Sequence, residues 1–376
     1  MDPLQNIYVG LGSNQGHRFD WLQKATDLLF EEVGRLVKIS GVYQSPAMGF
    51  AGEDFYNAVA HIETRLSPQE VLEHLLSIEN KLGRVRSVNG YSARCIDLDL
   101  LFYQQVVLDT KTLTLPHPQI QNRRFVLEPL AEIYPNLRHE PLKATAQELL
   151  AQTTDQSSLT KLAKWLRNPI KDLDLARLKY IAIEGNIGAG KTSLARMLAH
   201  DFNGKLILER FKDNAFLPEF YKDADRFAFP LEMSFLADRY QQLVEQSTQY
   251  DLFRDLVIAD YDRFKSLIFA KITLSEPEFT LYQKFFHLMH REVPRPNLYV
   301  YLAQSTDRLL DNIQKRGRDY EQSIAPEYLQ QIHAGYQTYL NSGEIGSPLC
   351  RIDITDLDFV HNRKDYLIVV RRLLAH

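Results

Sequence analysis

The chain has 376 residues, of which 45% are hydrophobic and 24% charged, and its formal net charge is −4. This length usually supports more than one hydrophobic core, and the weak negative charge argues against general affinity for nucleic acids or membrane surfaces. The chain shows no secretory signal and no apolar run long enough to cross a bilayer, and Cys95 and Cys350 lie far apart, so we expect a reduced, cytoplasmic protein.

Strands and helices follow one another in mixed order in the first part of the chain. Apolar strands are predicted at residues 7–12, 37–43, 55–63, 95–103 and 106–108, and helices at residues 19–30 and 68–82. Gly83 is placed to end the second helix. This order indicates an α+β domain.

A polar stretch at residues 153–158 precedes the predicted domain junction. Apolar residues within 159–166 have the spacing of one short helix, which Asn168-Pro169 would end. After Tyr180 the order becomes strand, glycine loop, helix, strand and long helices, which is typical of a parallel sheet flanked by helices. We predict a first domain at 1–167, a linker at 168–177 and a second domain at 178–376.

Asp97 and Asp99 are separated by one residue on the predicted strand 95–103. Side chains alternate along a strand, so both carboxylates face one side while Leu98 and Leu100 face a core. Two like charges this close favour a cation between them, and Mg²⁺ bridges carboxylates to phosphates. Taken alone, a pair of this kind is more often a solvated acidic face. Charge for polyphosphate oxygens would come from nearby arginines, namely Arg84, Arg86 and Arg94.

A wider series of motifs gives this pair its context. In chain order the motifs are Gly12-Ser13-Asn14, Ser45-Pro46, Phe55-Tyr56-Asn57-Ala58-Val59, Glu79, Gly83-Arg84-Val85-Arg86, Arg94 to Asp99, Leu115-Pro116-His117-Pro118 and Asn122-Arg123-Arg124-Phe125. The series resembles the 6-hydroxymethyl-7,8-dihydropterin pyrophosphokinase family over roughly residues 5–165. The resemblance implies a ferredoxin-like α+β fold and transfer of diphosphate from ATP to the pterin hydroxymethyl group, which leaves AMP.

The same resemblance implies roles for the matching residues. Asp97 and Asp99 would hold two Mg²⁺ ions, and Arg84 and Arg94 would bind the moving phosphates. The residues implied for ATP binding are Glu79, Arg84, Arg94, His117 and Arg123. Those implied for pterin binding are Ser45, Pro46, Phe55, Asn57, Tyr91 and Phe125, with Asn57 at the ring edge and Phe125 stacked on the ring.

Several of these positions have alternatives or depart from the family pattern. His117 could shape a loop, Asn57 could cap a turn and Phe125 could belong to the core. Tyr91 stands where the family has tryptophan, in an arginine-bearing loop at 87–94 that would exclude water after ATP binds. Phosphoryl-type transfer depends on positioning and charge stabilisation, so no side-chain nucleophile is expected.

A second phosphate motif follows an apolar strand at residues 179–184. Its residues are Gly185, Asn186, Ile187, Gly188, Ala189, Gly190, Lys191 and Thr192, and a helix is predicted at 193–199. The glycines let backbone N–H groups face phosphates, and the helix N-terminus adds positive potential. Because the motif lies between a strand and a helix, it predicts an ATP site. Lys191 would reach the outer phosphates and Thr192 would bind Mg²⁺.

Later motifs indicate the phosphate acceptor. They are the strand Leu206 to Glu209, Tyr221-Lys222-Asp223, Pro230-Leu231-Glu232 and Lys315-Arg316-Gly317-Arg318-Asp319-Tyr320-Glu321. Over roughly residues 177–376 they resemble the deoxynucleoside kinase family, which implies phosphorylation of a nucleoside 5′-hydroxyl.

The resemblance implies that Glu209 is the base near the 5′-hydroxyl and that Tyr221 and Glu321 bind the sugar 3′-hydroxyl. Arg316 and Arg318 would belong to a lid and steady the moving phosphate. Two alternatives stay open. The two arginines could be a solvated helix end, and Glu209 an exposed strand-end acid.

This half departs from the family at two places. Glu232 replaces the usual glutamine, and because a carboxylate only accepts hydrogen bonds, it should favour donor-rich base edges such as guanine N1–H and N2–H₂. The family's acid-Arg-Ser motif is missing. Asp260 stands in for the acid, whereas Arg263 lies three residues further on.

The first interpretation is a bifunctional enzyme that uses ATP, Mg²⁺, the pterin and a deoxynucleoside. The alternative is an active pterin enzyme with a non-catalytic P-loop domain that promotes oligomerisation. A homodimer through a helix at 231–244 is also expected, although this stretch could equally be intrachain core.

Overall fold

The structure is a computed structural model that describes residues 3–47, 52–84, 93–210, 214–248, 255–290 and 293–376. The chain forms two compact units, Met1–Leu173 and Asp174–His376. Within the described ranges, no helix combines the length and the apolar character needed to cross a membrane.

An antiparallel sheet organises the first unit. The strands of this unit are β1 (Gln5–Ser13), β2 (Arg35–Ile39), β3 (Tyr43–Ser45), β4 (Phe55–Thr64), β5 (Asp97–Tyr103), β6 (Leu108–Asp109), β7 (Thr114–Leu115), β8 (Arg138–His139), β9 (Ala144–Thr145) and β10 (Thr160–Lys161), of which β6 with β7 and β8 with β9 form two small separate sheets. Its helices are α1 (Arg18–Glu32), α2 (Pro68–Lys81), α3 (Arg124–Ile133) and α4 (Ala146–Gln152). The main sheet has the order β10-β3-β4-β1-β5, and β2 also pairs with β4.

The helix α2 shows why the local sequence forms these elements. Ser67 caps it, since the Ser67 hydroxyl accepts from the Glu70 backbone N–H while the Glu70 carboxylate accepts from the Ser67 N–H at 2.7 Å. Val71, Leu75 and Ile78 are spaced on one face and are fully buried. The helix therefore packs one apolar face inward, as its spacing predicts.

The predicted helix at residues 159–166 is wrong. Residues 160–161 form β10, which pairs with β3, and the Leu162 N–H donates to the Val42 carbonyl at 2.8 Å. The Lys161 ammonium also pairs with Glu132 at 2.8 Å. These partners are distant in sequence, so local spacing could not reveal them.

Two strand predictions need smaller corrections. The strand expected at 106–108 is observed as β6, which begins only at Leu108. Val107 lies outside the pairing and is 60% exposed. The strand expected at 37–43 is divided into β2 and β3. Between them, Ser40 exchanges hydrogen bonds with Val59 of β4.

A five-stranded parallel sheet organises the second unit. Its strands are β11 (Tyr180–Gly185), β12 (Lys205–Ile207), β13 (Val257–Ala259), β14 (Leu298–Ala303) and β15 (Leu349–Asp353). Its helices are α5 (Lys191–Asp201), α6 (Leu217–Phe220), α7 (Ala224–Thr248), α8 (Lys265–Thr273), α9 (Glu276–Met289), α10 (Thr306–Arg316), α11 (Pro326–Asn341) and α12 (Arg363–Leu374). The strand order is β12-β13-β11-β14-β15, which confirms the predicted parallel sheet.

The central position of β11 places the phosphate motif. Ile181, Ala182 and Ile183 are fully buried between two neighbouring strands. The glycine loop 185–190 leaves the carboxyl end of β11 and leads into α5. Ligands of open parallel sheets bind at this end, so the loop lies where the fold favours a nucleotide.

Candidate active sites

The first unit contains a cavity of about 540 Å³ above β1, β4 and β5. Its lining includes eleven of the predicted site residues, namely Ser45, Pro46, Phe55, Asn57, Arg84, Arg94, Asp97, Asp99, His117, Arg123 and Phe125. Tyr91 and Arg86 lie outside the described residues, as does most of the predicted loop 87–94. Residues from distant parts of the sequence thus share one cavity.

Asp97 and Asp99 face this cavity from β5, as strand alternation predicts. Leu98 and Leu100 point the other way and are 5% and 4% exposed. Burial raises the pKa of Asp99, and the neighbouring Asp97 charge raises it further. A divalent cation would relieve this repulsion, and carboxylate oxygens are the ligands that Mg²⁺ prefers, so the donor set fits that ion.

Guanidinium groups surround the two carboxylates. Arg84 Nη1 lies 2.6 Å from Asp97 Oδ1, and Arg94 Nη1 lies 2.7 Å from Asp97 Oδ2. Arg123 Nη1 is 3.6 Å from Asp99 Oδ2. The site therefore carries fixed positive charge directly beside the oxygens that would hold a metal ion. This arrangement suits a polyphosphate chelated by that metal.

Glu79 is not among the described residues that line the cavity, but it contacts two of its neighbours. It is 2% exposed, its Oε1 accepts from the Leu98 backbone N–H at 2.8 Å, and it pairs with Arg84. The carboxylate therefore connects α2 to β5 and orients Arg84. This geometry supports an indirect contribution to the predicted ATP site.

The lining of the cavity also includes polar and aromatic side chains. Asn57 Nδ2 donates to Ser45 Oγ at 2.9 Å, and Asn57 lies within β4, so the turn-cap alternative is wrong. Phe125 is half-buried and faces the cavity, with the Arg123 guanidinium 5.9 Å from its ring centre. Amide groups and aromatic faces are suited to a flat heterocycle.

His117 fits both of its sequence interpretations. Its Nδ1 accepts from the Gln119 backbone N–H at 3.2 Å, which shapes the loop, and its ring also lines the cavity. Burial lowers its pKa, although the Asp99 charge opposes this effect. The imidazole is therefore neutral near pH 7, with Nε2 left to donate.

The glycine loop of the second unit requires residues without a side chain. Gly188 and Gly190 have φ of +84° and +81°, which β-carbon-bearing residues rarely adopt. A Cβ at Gly188 would lie 2.8 Å from the Leu309 carbonyl oxygen, and one at Gly190 would lie 2.8 Å from the Phe359 ring. The loop therefore depends on both glycines.

The last two residues of the motif bear its polar side chains. Lys191 Nζ donates to the carbonyls of Gly185 and Asn186, each at 2.8 Å. Burial lowers the Lys191 pKa to about 8, and the nearby Lys265 charge adds to the effect. Thr192 Oγ1 donates to Asp260 Oδ2 at 2.5 Å, so a hydroxyl and a carboxylate oxygen meet where Mg²⁺ is predicted.

A second cavity, of about 120 Å³, lies beside this loop. Predicted site residues in its lining are Ile187, Gly188, Lys191, Thr192, Glu209, Tyr221, Glu232, Arg316, Arg318 and Glu321. Gly185, Asn186, Ala189 and Gly190 form the rest of the loop and do not line it. The residues predicted to bind the phosphate acceptor therefore lie together beside the phosphate loop.

Glu209 is held by two cations. Arg239 donates to Oε1 through Nε at 2.9 Å and Nη2 at 2.6 Å, and Lys265 Nζ donates to Oε2 at 2.6 Å. Burial opposes ionisation, but these charges hold the Glu209 pKa well below its usual range. Its side chain is 14% exposed, so the alternative of an exposed strand-end acid is wrong.

Glu232 has the opposite character. It is 3% exposed, its Oε1 accepts from Thr273 Oγ1 at 3.2 Å, and its Oε2 has no hydrogen-bond partner in the described part of the chain. Burial raises its pKa to about 7, although the Arg239 charge opposes this rise. A buried polar atom without a partner at a cavity wall is ready to bind a ligand.

The predicted lid arginines converge on Glu321. Arg316 pairs with its Oε2, and Arg318 Nη1 lies 3.0 Å from its Oε1. Arg316 ends α10, as the helix-end alternative proposes, yet both arginines also line the cavity. Tyr221 lines the same wall, so the predicted sugar-binding pair shares one pocket.

Two charged residues in the lining were not predicted from the sequence. Arg239 lies on α7 and Lys265 begins α8. Arg263, the nearest arginine to the missing motif, instead donates to the carbonyls of His290 and Val293. Lys265 lies close enough in sequence to Asp260 to have been a candidate, whereas Arg239 had no local signal.

Comparison with known proteins gives matches to both halves. The family described as 7,8-dihydro-6-hydroxymethylpterin-pyrophosphokinase matches residues 8–135, and the family described as deoxynucleoside kinase matches residues 181–375. A 2-amino-4-hydroxy-6-hydroxymethyldihydropteridine pyrophosphokinase of Aquifex aeolicus is 38% identical over 152 residues, covering 40% of this chain and 94% of that protein.

The second half has its own relatives. A deoxyguanosine kinase of Bacillus subtilis is 39% identical over 200 residues, covering 52% of this chain and 95% of that protein. A solved deoxyadenosine kinase from M. mycoides with dCMP and dCDP bound is 22% identical, with a TM-score of 0.46, covering 52% of this chain and 99% of that one. The chain therefore belongs to both families, as a hydroxymethyldihydropterin pyrophosphokinase joined to a deoxynucleoside kinase, and is a bifunctional ATP-dependent kinase.

Proposed function

We propose that the second half phosphorylates the 5′-hydroxyl of deoxyguanosine in preference to other deoxynucleosides. The observation that carries this choice is the unpartnered Oε2 of Glu232 at the cavity wall. An ionised carboxylate accepts two hydrogen bonds, and guanine offers N1–H and N2–H₂ side by side. The relative named deoxyguanosine kinase supports the same choice.

Competition among the four deoxynucleosides tests the choice of base. Purified protein with ATP and Mg²⁺ would be given all four at equal concentration at pH 8, and the monophosphates would be quantified. Deoxyguanosine monophosphate should dominate. A clear preference for thymidine would overturn the proposal, because its edge offers one donor between two acceptors.

Within this half, Glu209 is proposed to accept a hydrogen bond from the 5′-hydroxyl. Its low pKa makes it a weak base, but a loose phosphoryl transition state needs little proton removal early in the reaction. Thr192 is proposed to hold one Mg²⁺, with Asp260 beside it. Tyr221 and Glu321 would bind the 3′-hydroxyl, while Arg316 and Arg318 would steady the transferred phosphate.

For the first half we propose transfer of diphosphate from ATP to 6-hydroxymethyl-7,8-dihydropterin. Asp97 and Asp99 would hold two Mg²⁺ ions, which would neutralise the polyphosphate and clamp the attacking and leaving oxygens. Arg84 and Arg94 would bind the moving phosphates, and His117 and Arg123 the nucleotide. Their convergence in one cavity supports these roles.

The pterin is proposed to bind against the part of the cavity lining formed by Ser45, Pro46, Phe55, Asn57 and Phe125. Asn57 offers an amide to the ring edge, and Phe125 a face for stacking. We also propose a ferredoxin-like fold for this unit, supported by its antiparallel sheet and by α1 and α2, which connect strands of that sheet. Measuring AMP release with and without the pterin tests the reaction.

A homodimer through the second half remains a proposal. Much of the predicted interface helix is intrachain core, since Leu231, Leu236 and Leu243 are buried. The support comes instead from α9, where Leu281 and Leu288 are 46% and 66% exposed on one face. Light scattering of the eluted protein would give a dimer mass, and a clean monomer would overturn this proposal.

A further inference from the structure

Lys265 is a buried cation in the acceptor cavity, without a role in the motifs described above. It is the first residue of α8 and is 7% exposed. A buried ammonium is costly unless its charge is compensated. Its presence beside Lys191 and Thr192 in the cavity lining therefore needs an explanation.

The two cations that contact Glu209 differ in how many N–H groups remain available for a further hydrogen bond. All three guanidinium nitrogens of Arg239 are engaged, two with Glu209 and Nη1 with Ser266 Oγ at 2.8 Å. The Lys265 ammonium carries three N–H groups and makes a single hydrogen bond in the described part of the chain, to Glu209. Arg239 therefore only positions Glu209, whereas Lys265 has two N–H groups that are available to a ligand.

The position of these donors is defined by the rest of the lining. Glu209 marks the proposed place of the 5′-hydroxyl and Lys191 the proposed place of the outer phosphates of ATP, and both residues line the same cavity as Lys265. Arg263 cannot serve here, because its guanidinium donates to the carbonyls of His290 and Val293. Lys265 is therefore placed to supply the charge that the missing motif arginine would have supplied.

We propose that Lys265 is a catalytic residue that holds Glu209 and also donates an N–H to the transferred phosphoryl group. The inference rests on the proposed function of the second half. In this step the 5′-oxygen forms a bond to the γ-phosphorus as the bond to the β–γ bridging oxygen breaks. The electron pair leaves with ADP, and the hydroxyl proton passes to Glu209 and then to water.

The expected effect is on turnover more than on binding. Removal of a hydrogen-bond donor that acts mainly in the transition state lowers kcat by about 10²–10³-fold. Lys265→Met keeps an apolar stem without the charge, so kcat for deoxyguanosine should fall by that factor. The KM values for the nucleoside and ATP should change less than about threefold, because the donor contributes little to binding of the two substrates in the ground state. Lys265→Arg restores the charge and should recover most of the lost kcat.

The experiment measures ADP formation with deoxyguanosine for the wild-type chain and these two variants. Lys271→Met is the matched control, because Lys271 is an exposed lysine on the same helix and does not line the cavity. Pterin-dependent AMP formation by the same preparations reports the active enzyme concentration. Binding of a non-hydrolysable ATP analogue reports folding of the second half.

Each outcome decides between the proposals. A loss of kcat in Lys265→Met that Lys265→Arg repairs supports the inference. An unchanged kcat, or a rise in KM alone, overturns it while the proposed function stands. Wild-type protein that phosphorylates no deoxynucleoside overturns the proposed function itself. If Lys265→Met no longer binds the ATP analogue, Lys265→Gln, which keeps a donor without the charge, decides by the same kcat criterion.

Discussion

The ionisation of Glu232 should make the choice of base depend on pH. Burial raises its pKa to about 7, the charges of Arg239 and Lys265 oppose this rise, and Glu209 reinforces it. About nine-tenths of the molecules would be ionised at this position at pH 8, and about one-tenth at pH 6. The ionised acid accepts two hydrogen bonds, whereas the neutral acid donates one and accepts one.

The magnitude follows from that titration. Guanine offers two donors and matches the ionised form, so binding it at pH 6 requires ionisation that costs about 1.4 kcal/mol. We therefore expect kcat/KM for deoxyguanosine to fall about tenfold between pH 8 and pH 6. Adenine pairs an acceptor with a donor and matches the neutral acid. Its kcat/KM should rise over the same interval.

The assay is competition between deoxyguanosine and deoxyadenosine at pH 6, 7 and 8. Because both substrates share ATP, Mg²⁺ and the catalytic residues, effects of pH on those parts cancel in the product ratio. Glu232→Gln is the control, since its amide donates and accepts at every pH, and its ratio should stay constant. A constant ratio in the wild type, or the same slope in both proteins, would refute the reasoning.

Three further predictions concern stability and the independence of the two sites. Because the folded-state pKa of Glu232 lies above its ordinary value of 4.5, its contribution to the free energy of unfolding is largest below pH 4.5 and decreases by about 3 kcal/mol as pH rises to about 7. Urea unfolding at pH 5 and pH 8 should show this decrease in the wild type and much less of it in Glu232→Gln. Asp97→Ala should lower pterin-dependent AMP formation at least about 10²-fold, because the proposed metal site loses a ligand, with nucleoside phosphorylation unchanged. Near-normal AMP formation by the folded variant would contradict the metal role. Lys191→Met should have the converse effect, with loss of ADP formation and normal AMP formation. Loss of both activities would contradict the independence of the sites.

Short motifs whose function depends on the local backbone conformation can be recognised from the sequence. The glycine loop is recognisable because Gly188 and Gly190 adopt positive φ that other residues rarely adopt. Asp97 and Asp99 were assigned to one face because strand side chains alternate, and the structure places them there. Positive φ and strand alternation are both properties of the local backbone.

The contacts between distant segments could be decided only by the tertiary structure. The pairing of β10 with β3 formed a strand where spacing predicted a helix, and Lys161 of that strand contacts Glu132 of α3. Arg239 and Lys265 lie 26 residues apart in sequence yet hold the same carboxylate. Local sequence patterns do not reveal contacts between residues this far apart in the chain.

The protonation of buried acids was likewise beyond the sequence. Glu209 and Glu232 are the same residue type, yet two cations hold the pKa of the first low while burial raises that of the second to about 7. The sequence determined which families and motifs the chain carries, because these depend on residue order. The packed environment determined the charge of each acid, because desolvation and ion pairing exist only once the chain has folded.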